Sequence, residues 1–438
     1  MTRRPIYILL LWAAIILLSG CSSHLMLSKG IQKLNNDSLF NNAHIGFILQ
    51  DDAGKTLVAH NASKLFIPAS NTKLFTTYAV LRTWPDSLPG WFVHHTPDTL
   101  YLKPNGDPTF LHPTFSQQKV FQQILHTKKI VVVEKASATA FTRLGFGWSW
   151  NSYQEWYMPE RSGMPIYGNV VKFEQINGGI RVTPGYFQSR LKVNSIPQGK
   201  KMSISRAMDS NEFTANPAAA SASVRPFTQK EDADLNYRLL ADTLSKLNKQ
   251  IQFVENQNRG DSFWKPYYTY KTTEVLTPMM HQSDNFMAEQ LLLIAGSKLV
   301  GKLADRLAIA ALQKDDFSNF PQSFVWVDGS GLSRNNNFSP QVLTALLYKM
   351  RQSFGWETIR QILQKDESTA TDYYKGYENH IWSKTGTLGG NSTTLSGYLL
   401  SKKGKRYFFS FLVNNHHQNQ VSIRRAVEKY LVNIIENY

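Results

Sequence analysis

Ser70-Asn71-Thr72-Lys73 sets a hydroxyl and an amine three residues apart, at the start of a run whose apolar spacing predicts a helix from Thr72 to Arg82. On a helix that separation puts both groups on one face. A serine hydroxyl attacks only as it sheds its proton, so it needs a base within hydrogen-bond reach. A lysine can be that base when neutral, and burial, a second nearby cation and a helix N-terminus all disfavour its protonated form. The spacing alone carries little weight. Ser116-Gln117-Gln118-Lys119 and Ser262-Phe263-Trp264-Lys265 repeat it, and a helix N-cap explains a serine at such a place equally well.

Two further motifs follow in order, Ser283-Asp284-Asn285 and Lys384-Thr385-Gly386-Thr387. At average residue usage either tripeptide core arises by accident in very roughly one chain of this length in ten or fewer, and both together more rarely still. Each also has a plain structural reading, an N-cap for the first and a β-turn for Thr385-Gly386. As chemistry, Ser283 can relay a proton toward a leaving amine, and the Asn285 amide can hold a peptide carbonyl. Lys384 with the hydroxyls of Thr385 and Thr387 offers charge and donors to a terminal carboxylate. Gly386 lets a strand lie close to a bound peptide. The backbone N–H groups of Ser70 and Thr387 suit an oxyanion hole.

These motifs need rigid elements to hold them. Ile45–Gln50 and Thr56–Ala59 read as strands around the turn Asp51-Asp52-Ala53-Gly54. From about Thr83 to Lys265 the chain turns to short β-like runs, among them Thr99–Leu102, Ile130–Val133 and Phe173–Ile176 before the hairpin signal Asn177-Gly178. Ala215–Ser223 reads as a loop of small residues, and Asp234–Leu247 as a helix. Helices are expected at Asn285–Lys298, at Lys302–Gln313 and after Ser339-Pro340, an N-cap with proline at the first helical position. Strands Ser396–Leu400 and Tyr407–Val413 and a helix Val421–Ile435 close the chain. The expected organisation is an α/β (α+β) catalytic body in two parts, 42–85 and 266–438, split by a β-rich insertion at 86–265.

With these residues placed, the chain resembles the D-alanyl-D-alanine carboxypeptidase/endopeptidases, the class C low-molecular-mass penicillin-binding proteins. The trio is also the signature shared with class A β-lactamases. The matching stretches are Phe66–Leu74, Asn105-Gly106-Asp107-Pro108, Ser283-Asp284-Asn285, Asp328–Arg334, and Lys384–Leu388 leading to Leu395–Tyr398. The family carries a large insertion between its first two motifs, as this chain does; a class A β-lactamase has a far shorter gap. The resemblance implies a serine β-lactamase/DD-transpeptidase-like catalytic domain that cleaves D-Ala-D-Ala bonds or crosslinks in peptidoglycan stem peptides. It further implies slow acylation by β-lactam antibiotics. Catalysis would fall to Ser70, Lys73, Ser283, Asn285 and Lys384, and substrate binding to Thr385, Gly386 and Thr387, with no cofactor and no metal. Asp328–Arg334 is either a turn that shapes the cleft or a substrate contact. Trp148-Ser149-Trp150-Asn151-Ser152 departs from the family, which has acidic residues after its Trp-x-Trp to recognise the free amine of the crosslinking residue. Tyr157–Arg161 departs as well. A β-lactamase and a non-catalytic wall-binding lipoprotein of the same fold are the alternatives.

The N-terminus leads us to expect this chemistry outside the cytoplasm. Arg3-Arg4, an apolar run from Ile6 to Leu18 and then Leu18-Ser19-Gly20-Cys21 read as a secretory leader (1–21) ending in a sequence that resembles the bacterial lipobox. Cys21 is the sole cysteine of the 438 residues, so it forms no internal disulfide, and lipid attachment gives its thiol a use. Residues 22–41 are expected to tether a periplasmic body to a bacterial membrane. The net charge of +16 favours polyanionic partners or anionic surfaces. No zinc spacing, basic heptad helix or aromatic RNA-binding motif accompanies it, so nucleic acid is not expected.

Overall fold

The computed structural model describes residues 26–136, 140–176, 179–194, 201–217, 221–363 and 373–438. The expected leader, its lipobox with Cys21, and the Asn177-Gly178 turn lie outside them. The chain forms two compact units: unit 1 holds the chain through Leu74, Asn319–Trp326 and Arg334–Tyr438, and unit 2 holds Phe75–Ser318 and Val327–Ser333. Unit 1 begins with helix α1 (described residues 26–35), strands β1 (His44–Asp51) and β2 (Thr56–His60), and a 3-10 turn at Ala69–Thr72 that leads into α2 (Lys73–Thr83). Unit 2 continues through β3 (Ser87–His95), β4 (Thr99–Pro104), α3 (Lys119–His126), β5 (Ile130–Glu134), β6 (Val170–Ile176), β7 (Gly179–Thr183) and β8 (Leu191–Val193). It ends with β9 (Ser203–Arg206), β10 (Phe213–Asn216), β11 (Ala222–Pro226), α4 (Leu235–Ser245), β12 (Gln252–Val254), β13 (Lys265–Lys271), α5 (Thr272–His281), α6 (Asn285–Leu299) and α7 (Asp305–Asp315). Unit 1 then resumes with α8 (Pro340–Phe354), α9 (Trp356–Leu363), β14 (Ile381–Leu388), β15 (Ser392–Leu400), β16 (Arg406–Asn414) and α10 (Gln420–Asn437).

Unit 1 is built on one antiparallel sheet, in the order β14-β15-β16-β1-β2. The first strand of the chain lies inside it, with His44 opposite Asn414 and Asp51 opposite Tyr407. β16 reads Tyr-Phe-Phe-Ser-Phe-Leu-Val with no polar alternation, as a strand covered on both faces does. Phe409, Phe411 and Val413 share a core with Ile423, Val427 and Leu431 of α10. α8 also packs on β16 and starts as its sequence says, with the Ser339 hydroxyl accepting from Val342 N and proline at the first helical position.

The stretch expected as a tether differs. Leu27 and Ile31, one helical turn apart on α1, are buried in the unit 1 core, and Tyr430 donates to the Leu27 carbonyl at 3.1 Å. Burying that stripe fixes the segment, so the folded body starts well before residue 41.

In unit 2 a mixed sheet runs β12-β5-β4-β3-β13, beside two three-stranded sheets, β11-β6-β7 and β8-β10-β9. Trp91, Leu100, Leu102, Val131 and Val133 of the large sheet share a core with Leu239, Leu240 and Leu244 of α4. Unit 2 reaches past the 86–265 segment on both sides, because β13 pairs with β3 and α5 packs on both strands. The small-residue stretch 215–223 is less of a loop than its composition suggests: Ala215 and Asn216 end β10, and Ala222 and Ser223 open β11. β6 and β7 form the expected hairpin arms, with Ile176 opposite Gly179.

Candidate active site

In unit 1 the nucleophile candidate sits in a tightly tied turn. Phe66 exchanges backbone hydrogen bonds with Phe338, and Ile67 is clamped by the Asn414 amide, which accepts from its N–H at 2.7 Å and donates to its carbonyl at 3.2 Å. Ala69 is then held at φ +48, a conformation an L-residue adopts only when its surroundings impose it. The chain enters α2 at Lys73, which is fully buried, and Lys73 Nζ donates to Ser70 Oγ at 3.0 Å. The two other serine–lysine pairs behave differently: Ser116, Lys119, Ser262 and Lys265 are all exposed.

β14 carries the third motif along the edge of the unit 1 sheet. Lys384 is 2% exposed and donates to the Thr385 carbonyl at 2.9 Å. Gly386 is required by proximity. A Cβ there would stand 2.3 Å from Thr394 Oγ1, 2.9 Å from Ser70 N and 3.0 Å from Pro68 O. Thr394, on β15, ties the same turn, accepting from Asn71 Nδ2 at 2.6 Å and donating to Pro68 O at 2.9 Å. The structure thus brings Ser70, Lys73 and the Lys384–Thr387 strand together in one unit. By strand alternation Lys384 and Gly386 share one face, and Thr385 and Thr387 the other. Just beyond, Gly389 turns the chain at φ +60, and the Arg334 guanidinium lies where its side chain would be. Thr387 Oγ1 accepts from Arg424 Nη2 of α10 at 2.7 Å, a partner the sequence did not point to.

In unit 2 the second motif bridges α5 and α6. Ser283 takes φ +56, and Asp284, not Ser283, is the N-cap of α6, accepting from Met287 N at 2.8 Å. The capping reading of this motif is therefore met by Asp284. Asn285 opens the helix and donates from Nδ2 to the Tyr157 carbonyl at 2.9 Å.

One turn further along α6 lies a charge cluster that the motifs did not reveal. Glu289 is completely buried, 3.3 Å from Arg161 Nη1, which also reaches Asp305 Oδ2 at 2.5 Å. Burial, with the Asp328 carboxylate next, raises Glu289 to about 7 against the opposing pull of Arg161. Glu289 accepts from Ser330 N, while Asp328 accepts from Gly331 N, Ser333 N and Trp148 Nε1. Asp328–Ser333 is therefore a turn held by its own carboxylate and locked to α6. The one signal available beforehand was the polar pair Glu289-Gln290 in the otherwise apolar run Phe286–Ile294.

A family model described as the D-Ala-D-Ala carboxypeptidase 3 (S13) family matches residues 27–437. The chain belongs to this family. Its fold is similar to that of penicillin-binding protein 4 from Haemophilus influenzae, with a TM-score of 0.69 at 16% identity over 90% of this chain and 97% of that one. The same protein complexed with a novel β-lactam gives 0.66 at 16%, with the same coverage. The predatory endopeptidase Bd0816 of Bdellovibrio bacteriovorus, in complex with an immunity protein, gives 0.52 at 13% over 90% of this chain and 93% of that one. No curated protein matches in sequence. The fold class expected from the motifs is the one found, mixed α and β and of the penicillin-binding type, and the family membership makes the chain a hydrolase.

Proposed function

We propose that this protein is a serine DD-carboxypeptidase and DD-endopeptidase acting on peptidoglycan stem peptides. The observation that carries the reading is the 3.0 Å contact from buried Lys73 Nζ to Ser70 Oγ, with the Gly386 strand pressed against Ser70 N. Ser70 Oγ attacks the carbonyl of the penultimate D-Ala while Lys73, neutral at that moment, accepts its proton. The resulting oxyanion is held by the N–H groups of Ser70 and Thr387. When the C–N bond breaks, the departing amine takes a proton, a relay we assign to Ser283, and Asn285 is assigned the peptide carbonyl of the substrate. Water then hydrolyses the acyl-enzyme and restores the serine. A β-lactam follows the same first step with its ring amide as the bond that opens. Lys384, Thr385 and Thr387 receive the terminal carboxylate, and an edge strand such as β14 suits a substrate that lies alongside it as an added strand.

We further propose that the chain is exported and held at a bacterial membrane by lipid on Cys21, with Leu18-Ser19-Gly20-Cys21 as the processing site. Intact-mass analysis after incubation with benzylpenicillin tests the enzyme reading. A single covalent adduct absent from Ser70→Ala is expected; no adduct, or the same adduct on that variant, refutes it. Labelling with a radioactive fatty acid tests the anchor, with loss of label in Cys21→Ala expected.

A further inference from the structure

The third motif ends on a hydroxyl that is already engaged. Arg424 Nη2 donates to Thr387 Oγ1 at 2.7 Å. A threonine hydroxyl has one proton and two lone pairs, so with a guanidinium on a lone pair its proton remains for an acceptor. Arginine has no lone pair to offer in return, so the polarity of this pair is fixed. The arginine is placed firmly. It stands near the start of α10, whose Ile423, Val427 and Leu431 are buried in the unit 1 core and whose N-cap, Asn419, accepts from Val421 N at 2.8 Å. Lys384 supplies a cation at one end of the motif, and Arg424 supplies another at the end where Thr387 lies.

We infer that Arg424 is a positioning residue for the terminal carboxylate of the substrate: it turns Thr387 into an obligate donor and extends the positive charge along β14. This rests on the serine-peptidase reading above and adds to it the residue that orients the carboxylate-binding hydroxyl. An arginine that merely strapped α10 to β14 would matter for stability, and its loss would slow all acylation alike.

The test compares benzylpenicillin with its methyl ester on the full-length protein. Second-order acylation rates are read by intact mass over incubations long enough to follow the slower compound, with a melting temperature for every variant. Arg424→Gln is expected to slow acylation by benzylpenicillin about tenfold, as loss of a charge-assisted contact does, while changing the ester by less than about twofold. Arg424→Lys keeps the charge without the planar fork and falls between. Thr387→Val slows benzylpenicillin at least as much, and adding Arg424→Gln to it slows benzylpenicillin no further, because both remove one interaction. Equal slowing of acid and ester, or no slowing of either, overturns the inference while leaving the peptidase reading intact. Failure of both compounds to acylate the parent protein overturns the peptidase reading, and this inference with it.

Discussion

Gly386→Ala is the sharpest test of how the site is built. The new methyl would lie 2.3 Å from Thr394 Oγ1 and 2.9 Å from Ser70 N, against ordinary contacts that begin near 3.4 Å. Ser70 N would have to retreat by about 0.5 Å and Thr394 Oγ1 by about 1 Å, a large overlap for packed atoms. Thr394 cannot swing aside without dropping its bonds to Asn71 and Pro68, worth about 1 kcal/mol each. Overpacking adds about 1–3 kcal/mol, so stability should fall by roughly 2–4 kcal/mol in urea titrations, part of the strain being relieved as those bonds break. The rate should suffer separately, because Ser70 N is a proposed oxyanion donor, and displacing such a donor costs on the order of a hundredfold. Adding Thr394→Ala removes the closest clash and should recover part of the stability, a non-additive result. It leaves the 2.9 Å overlap with Ser70 N, so acylation stays slow. Timed benzylpenicillin acylation read by mass decides the matter. Acylation of Gly386→Ala within about threefold of the parent, or full recovery in the double variant, would refute the placement of this strand against the nucleophile.

Lys73→Met keeps the buried volume and removes the proposed base, and should slow acylation by at least about a hundredfold with little change in melting temperature, measured in parallel. Arg161→Met strands two buried carboxylates, and its urea midpoint should correspond to a loss of about 3–5 kcal/mol. Glu289 titrates near 7 in the folded protein but near the ordinary 4.5 when unfolded, so the folded state holds the extra proton between those values. Stability from this group is therefore full at low pH and declines as pH rises through that window, and Glu289→Gln should flatten the decline; an unchanged pH slope of the urea midpoint would count against the cluster. Nitrocefin should acylate the protein and turn over slowly; rapid multiple turnover would favour a β-lactamase.

Local signals made much of this molecule legible in advance. The helix expected from Thr72 to Arg82 is α2, Lys73–Thr83, because a run of Leu74, Phe75, Tyr78, Ala79 and Leu81 has nowhere to go but a core. Ser339-Pro340 opens α8 as capping chemistry requires. α7 starts at Asp305, three residues after the expected Lys302. What stayed hidden depends on residues that meet only after folding. Arg161 finds Asp305 across 144 positions, and Arg424 finds Thr387 across 37, and no periodicity encodes such meetings. Ser70 stands apart from its two decoys by its spacing from the other two motifs, and burial of its lysine makes the same choice by an independent route.

The place of β1 in its sheet bears on how the enzyme comes into being. Its partner β16 is made some 370 residues later, as the pairing of His44 with Asn414 shows. Unit 2 is nearly continuous in sequence and can gather its core while the chain is still emerging, whereas unit 1 must wait for its last strands. Closing so long a loop is slow, and until it closes nothing clamps Ile67 or presses the Gly386 strand on Ser70. The turn that carries Ser70 is therefore assembled last. A nascent chain that stops short of β16 would carry Ser70, Lys73 and the Lys384–Thr387 strand and remain inert, so that activity reports the arrival of that last strand.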